Sequence, residues 1–146
     1  MKKLMSMALV ALMSSAVLVS CDKDDDKPRD DQNTATNSYL VDGEWTISHM
    51  TDDGVDQTAS YAGYTFKFTS DGKLTATKGE DTINGIWRTK KDDGRNELEI
   101  RLTTTDPLLD EINDDWDIVS STNSKIELRD DDDDPNEDDI LHFTKK

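Results

Sequence analysis

The sequence predicts an all-β domain: a small eight-stranded antiparallel up-and-down barrel, with one short helix between strands 5 and 6. Three observations predict it. Apolar and polar residues alternate with period two through eight short runs. Turn-forming residues separate those runs. One segment alone breaks the period, and it carries a helix start signal.

The runs begin with Trp45-x-Ile47-x-His49 and Tyr64-x-Phe66-x-Phe68. Leu74-x-Ala76, Ile83-x-Gly85-x-Trp87 and Leu98-x-Ile100-x-Leu102 follow. Trp116-x-Ile118, Ile126-x-Leu128 and Leu141-x-Phe143 complete the set. The intervening residues are mostly Thr, Ser, Lys, Arg, Asp or Glu, so each strand has one wet side. Asp71-Gly72 marks a hairpin, because that pair tolerates the positive φ angles of tight turns. Lys78-Gly79-Glu80-Asp81, Asp92-Asp93-Gly94 and Thr122-Asn123-Ser124 mark further turns of one meander. Gly85 lies on an apolar face, where a missing side chain allows a bend or bulge. His49 ends its strand on the apolar face and reads as buried; His142 alternates with Leu141 and Phe143 and reads as outward.

The break in period is Thr105-Asp106-Pro107-Leu108-Leu109-Asp110-Glu111-Ile112. Asp106 suits an N-cap and Pro107 the first helical position. Leu108, Leu109 and Ile112 would then share a face, which predicts about two turns of helix across one end of the sheet. Closing eight strands into a barrel removes exposed edges.

Gly43-x-Trp45 at the first strand resembles the lipocalin signature. Tyr64-x-Phe66-x-Phe68-x-x-Asp71-Gly72, Gly85-x-Trp87 and Asp115-Trp116-x-Ile118-Val119 resemble the small lipocalin-like domains of Bacteroidetes lipoproteins. The resemblance spans residues 40–146 and implies a barrel with a small apolar or amphiphilic ligand. Its candidate lining residues are Trp45, Tyr64, Phe66, Phe68, Trp87 and Trp116. Lipocalins are longer, with deeper cups and usually disulfides; this domain has neither the length nor the cysteines. An eight-stranded barrel is just wide enough to be filled by side chains or to hold one small ligand. So bulky an inward set favours the filled core.

The amino terminus predicts a location. Met1-Lys2-Lys3 is a basic head, and Leu4 to Val19 is an apolar run too short and interrupted to span a bilayer comfortably. It ends in Leu18-Val19-Ser20-Cys21, which resembles the lipobox of bacterial lipoproteins. The resemblance implies a signal peptide over 1–20 and lipidation of Cys21 with palmitate-like chains. Two or three chains anchor stably where one does not, since each buried methylene contributes roughly 0.8 kcal/mol. Cys21 is the chain's one cysteine, so the remainder has no disulfide and no thiolate metal site.

Asp22-Lys23-Asp24-Asp25-Asp26-Lys27 resembles the acidic export signal of Bacteroidetes surface lipoproteins. That implies the outer membrane, facing the cell surface; the alternative is a periplasm-facing anchor. Residues 21–39 are almost free of apolar side chains and read as a lipidated cysteine followed by a disordered acidic tether. Such a coil would hold the domain roughly 20–25 Å from the lipid.

The chain has 17 basic and 33 acidic residues, a net charge of −16. Loss of Lys2 and Lys3 with the leader makes it more negative still. That excludes nucleic acid and anionic membrane surfaces as partners of the domain. The densest run is Asp130 to Asp139, ten residues with eight carboxylates. Set on the EF-hand template from Asp130, positions three, five and seven fit as Asp132, Asp134 and Asn136. Position six is Pro135 instead of Gly and position twelve is Leu141 instead of Glu, so it is no EF-hand. Asp130, Asp132 and Asp134 stay as candidates for a looser calcium site against a solvated hairpin loop; Thr51 to Asp56 is a weaker one. There is no nucleophile elbow, no phosphate-binding glycine loop and no His or Cys cluster with metal spacing. The reading is non-catalytic, without a cofactor beyond the covalent lipid. The family resemblance favours a ligand-binding barrel. The alternative is a solid-core surface module binding a protein partner or divalent cation through acidic loops.

Overall fold

Period-two alternation means that one face of each strand must be buried, and a closed barrel buries all of those faces against each other. The computed structural model describes residues 30–131 and 138–146. It contains α1 (Asp30–Val41), β1 (Trp45–Asp52), β2 (Val55–Asp56) and a 3-10 turn (Thr58–Tyr61). Then come β3 (Thr65–Phe68), β4 (Lys73–Lys78), β5 (Asp81–Asp92), β6 (Arg95–Leu102) and α2 (Pro107–Asp110). β7 (Asp115–Ser121), β8 (Lys125–Asp130) and β9 (Asp139–Lys145) complete the chain. All pairings are antiparallel, in the order β2-β1-β3-β4-β5-β6-β7-β8-β9, and β1 also pairs with β9. The result is the predicted closed barrel of eight strands, with β2 as a short addition folded back on β1.

The predicted runs are β1 and β3 to β9. Their inward residues form one core, from Trp45, Ile47 and Met50 through Phe66, Phe68, Leu74 and Ala76 to Leu141 and Phe143. Asp93-Gly94 turns β5 into β6 with both residues at positive φ, 44° and 82°, the twist that a two-residue hairpin needs. Gly85 sits where β5 meets β6 opposite Leu102. A Cβ there would collide with the Arg101 carbonyl oxygen and stand 2.8 Å from Leu102 Cα, so only glycine lets the strands approach.

Two expectations are corrected. The first concerns residues 30–39, expected to be disordered; they belong to α1, which lies across one end of the barrel. Thr36 and Leu40 are fully buried there. The helix shows almost no amphipathic pattern, because most of its seat is polar. Gln32 Nε2 donates to Ile118 O (3.4 Å), Asn33 Nδ2 to Lys90 O (3.1 Å) and Thr36 Oγ1 to Ser121 Oγ (2.7 Å). Thr89 Oγ1 donates to Asn37 Oδ1 and Asn96 Nδ2 to Gln32 Oε1, both at 2.9 Å. Composition alone cannot announce a helix whose partners come from β5, β6 and β7.

The second correction is His49. The β1–β9 register runs Ile47↔Phe143 and then His49↔His142, so Ser48 is an extra residue. This bulge inverts the alternation. Met50 takes the inward position and His49 turns to the outer wall. His142 faces outward as expected.

The helix expected at 107–112 is present but is one turn long. Asp106 caps it by accepting from Leu108 N at 3.0 Å, and Pro107 opens it. Leu109 and Ile112 insert into the end of the barrel opposite α1 and are fully buried. Tyr61, from the 3-10 turn, closes the same end and donates to Leu108 O at 2.7 Å.

Candidate functional site

The six aromatic candidates were expected either to line a cavity or to fill one. Trp45, Phe66, Phe68 and Trp116 are at most 1% exposed, and Trp87 is 7% exposed. Phe66, Phe68 and Trp87 are linked edge to face through the interior, with Phe143 between the two phenylalanines. Phe66 and Phe143 meet at 5.3 Å and 72°, Phe143 and Phe68 at 5.6 Å and 88°, Phe68 and Trp87 at 5.6 Å and 88°. Such pairs each add about 0.5–1.5 kcal/mol beyond the area they bury.

The indole nitrogens are also committed. Trp45 Nε1 donates to Leu40 O at 2.9 Å and so holds the end of α1. Trp87 Nε1 donates to Thr69 O at 3.1 Å in the β3–β4 loop. Trp116 Nε1 donates to Ile112 O at 3.1 Å just beyond α2. Each tryptophan therefore ties one closing segment to the barrel wall, and no indole N–H is left to greet a ligand.

Tyr64 alone of the six is half-buried. It stands at the mouth beside α2, with Lys78 Nζ 4.7 Å from its ring centre. The cleft there is about 240 Å³ and is shared with Ile83, Asp106 and Leu109. Trp87 borders a second cleft of about 210 Å³ with Asn37, Arg88 and Thr89. Both are smaller than the roughly 300–1,000 Å³ usual for ligand pockets.

The end closed by α2 is strongly acidic. Asp52, Asp106, Glu111, Asp114, Asp130 and Asp139 converge there. Glu111 accepts from Tyr61 Oη at 3.3 Å. Burial pushes its carboxyl above the usual range, and Asp52, Asp139 and Asp106 push the same way against the Tyr61 hydrogen bond. Burial likewise raises Asp130, helped by Asp114, Asp139, Asp117 and Asp131. Tyr61 is raised by its own burial and by Glu111.

Of the calcium candidates, Asp130 ends β8 opposite Asp139. Asp132 and Asp134 lie outside the described residues, as does Cys21. Thr51 to Asp56 forms the β1–β2 hairpin. Among the described residues no three His, Cys, Asp or Glu side chains are gathered to hold a metal ion. No helix among them is long and apolar enough to cross a membrane.

The outer wall of β5 to β8 is different, because there acids and bases match. Lys90 Nζ lies 2.7 Å from Asp115 and 3.1 Å from Glu97. Arg101 reaches Asp115 at 2.8 Å, and Arg88 pairs with Glu99. Arg95 bridges Asp117 at 2.5 Å and Asp131 at 3.0 Å. The α2 end differs in that its carboxylates crowd one another: Asp52, Asp139 and Asp106 face Glu111, and Asp114 and Asp139 face Asp130.

The sequence reading missed Tyr61 and Leu40. Asp56 gave a faint signal for the first, since its Oδ1 accepts from Thr58 N and starts the 3-10 turn. Leu40 had none beyond being the first leucine after a polar stretch.

No protein-family model and no curated relative matches the chain. Among solved structures, a DUF4847 family protein from Bacteroides vulgatus is similar, with a TM-score of 0.52. The match covers 75% of this chain and 96% of that one, at 14% identity. This likeness establishes a shared fold. It places the chain with a small closed β-barrel of a kind found in a Bacteroides species.

Proposed function

We propose that the protein is a lipid-anchored, non-catalytic recognition module of the outer membrane, exposed at the cell surface, with a solid barrel as its scaffold. The observation that carries this reading is how the six aromatic candidates are used: five are packed against each other and against the wall, and both barrel ends are closed. What is left for recognition is the exterior, where the acids crowd most closely around the α2 end. A partner of opposite charge, a basic protein surface, fits it by complementarity. The anchor reading rests on the basic head, the apolar run and Leu18-Val19-Ser20-Cys21.

The experiment is native mass spectrometry of the chain purified gently from its own envelope. The expected mass is that of the lipidated protein alone. A stoichiometric organic adduct that survives gentle activation would overturn the solid-barrel reading in favour of a lipocalin-like carrier. Palmitate labelling with Cys21→Ser checks the anchor: label should vanish and the protein leave the membrane fraction. Protease treatment of intact cells then separates a surface-facing domain, which is cut, from a periplasm-facing one, which is spared.

A further inference from the structure

The chain contains two histidines, 93 positions apart, and the fold sets them side by side. His49 on β1 and His142 on β9 are register partners on the outer wall, with ring centres 5.3 Å apart and planes tilted by 47°. They meet only because the bulge at Ser48 turns His49 outward; without the extra residue it would point into the core. Such bulges re-aim side chains at functional places on sheets.

We propose that His49 and His142 form a two-imidazole site for a borderline divalent transition metal such as zinc, copper or nickel. The geometry fits. Zinc binds imidazole nitrogen at about 2.0–2.1 Å, so two rings on one tetrahedral ion have centres roughly 5–5.5 Å apart. Both residues are half-buried, so a hydrated ion reaches them from solvent. Imidazole also selects these metals over calcium and magnesium, which prefer oxygen.

The surroundings place a carboxylate close by. Glu127 on β8 is the register partner of His142. Its carboxylate is held by Lys125 Nζ at 2.5 Å and by Ser120 Oγ, so it is presented beside the site without being spent on a ring. His142 is faced by Lys125, Glu127 and His49, and its burial holds its pKa below the usual value. His49 faces His142 and, from β2, Asp56. With no third protein ligand gathered among the described residues, water completes the coordination sphere. The site lies on the wall of β1, β8 and β9, and it holds whether or not the acidic end binds a partner.

Zinc chloride is the probe, titrated into the full chain at pH 7.5 with a large excess of calcium to occupy the carboxylates. One zinc should bind, and the ring C–H NMR signals of both histidines should shift together. His49→Gln and His142→Gln should each weaken binding by about ten-fold or more, since a single imidazole is left. Glu127→Gln should weaken it less. Binding should fade as pH falls below about 6, where protons compete for the rings. Ring signals that stay put under saturating zinc would overturn the proposal. So would histidine variants that fold normally and bind zinc as the parent does, because the carboxylates would then be the ligands.

Discussion

The two ends of the barrel are closed by different chemistry. The α1 end is sealed by amides and hydroxyls: Gln32, Asn33, Thr36 and Asn37 bond to the strand ends beneath them. Its apolar contribution is mainly Leu40, and Asn33 Oδ1 and Asn96 Oδ1 are buried there without a protein hydrogen-bond partner. The α2 end is sealed by Leu109, Ile112 and Tyr61, and carboxylates surround it. An apolar plug gains from every area it buries. A polar seam gains only the small difference between hydrogen bonds to protein and to water. The firmer closure is therefore the shorter one, a single helical turn against three.

Substitutions should expose this asymmetry. Leu109→Ala removes an apolar side chain that plugs the α2 end, and should cost about 2–5 kcal/mol in chemical denaturation. Thr36→Ala leaves Ser121 without its partner at the α1 end and should cost about 1–2 kcal/mol. Equal losses at the two positions would break the comparison. Asp106→Ala removes the α2 cap and should cost about 1 kcal/mol. Hydrogen exchange sharpens the contrast without mutation: α1 amides should exchange through a local opening, well before those of β5 and β6.

The smallest effect is on pH. Glu111 and Asp130 have raised folded pKa values, so the fold binds their protons more tightly than the unfolded chain does. Their contribution to stability grows as pH falls towards the ordinary carboxylate range. Asp115 is held low first by its hydrogen bond from Lys90, and Glu127 first by Lys125. Their contribution is present above the ordinary carboxylate pKa and is lost as pH falls through the folded values. The melting temperature should therefore rise slightly from pH 7 to about 5 and drop below about pH 4. A monotonic fall from pH 7 would show that the acidic rim carries no strain.

The same contrast explains what the sequence could disclose. Every barrel strand was legible, because alternation is a local pattern and each strand has one dry face. The α2 closure was legible too, through Asp106, Pro107 and the leucines that follow. Nothing local marked α1, since Thr36 and the amides before it are buried only by strands far along the chain. The two bulges were hidden for a related reason. One surplus residue, Ser48 in β1 or Val119 in β7, changes which face every later side chain takes, and no residue type announces it. So His49 was read as inward, and the His49–His142 pair could not be foreseen. The aromatic set was legible as interior, but a list of inward residues does not distinguish a lining from a filling; only their mutual distances do.

The three indole bonds have an optical consequence. Trp45 reports on α1, Trp87 on the β3–β4 loop and Trp116 on the segment after α2. Variants keeping one tryptophan each, with phenylalanine at the other two, would emit from one closure at a time. The protein thus carries an intrinsic fluorescent gauge for each of these segments, and a partner, metal or lipid that loosens one of them would register as a red shift in that channel alone.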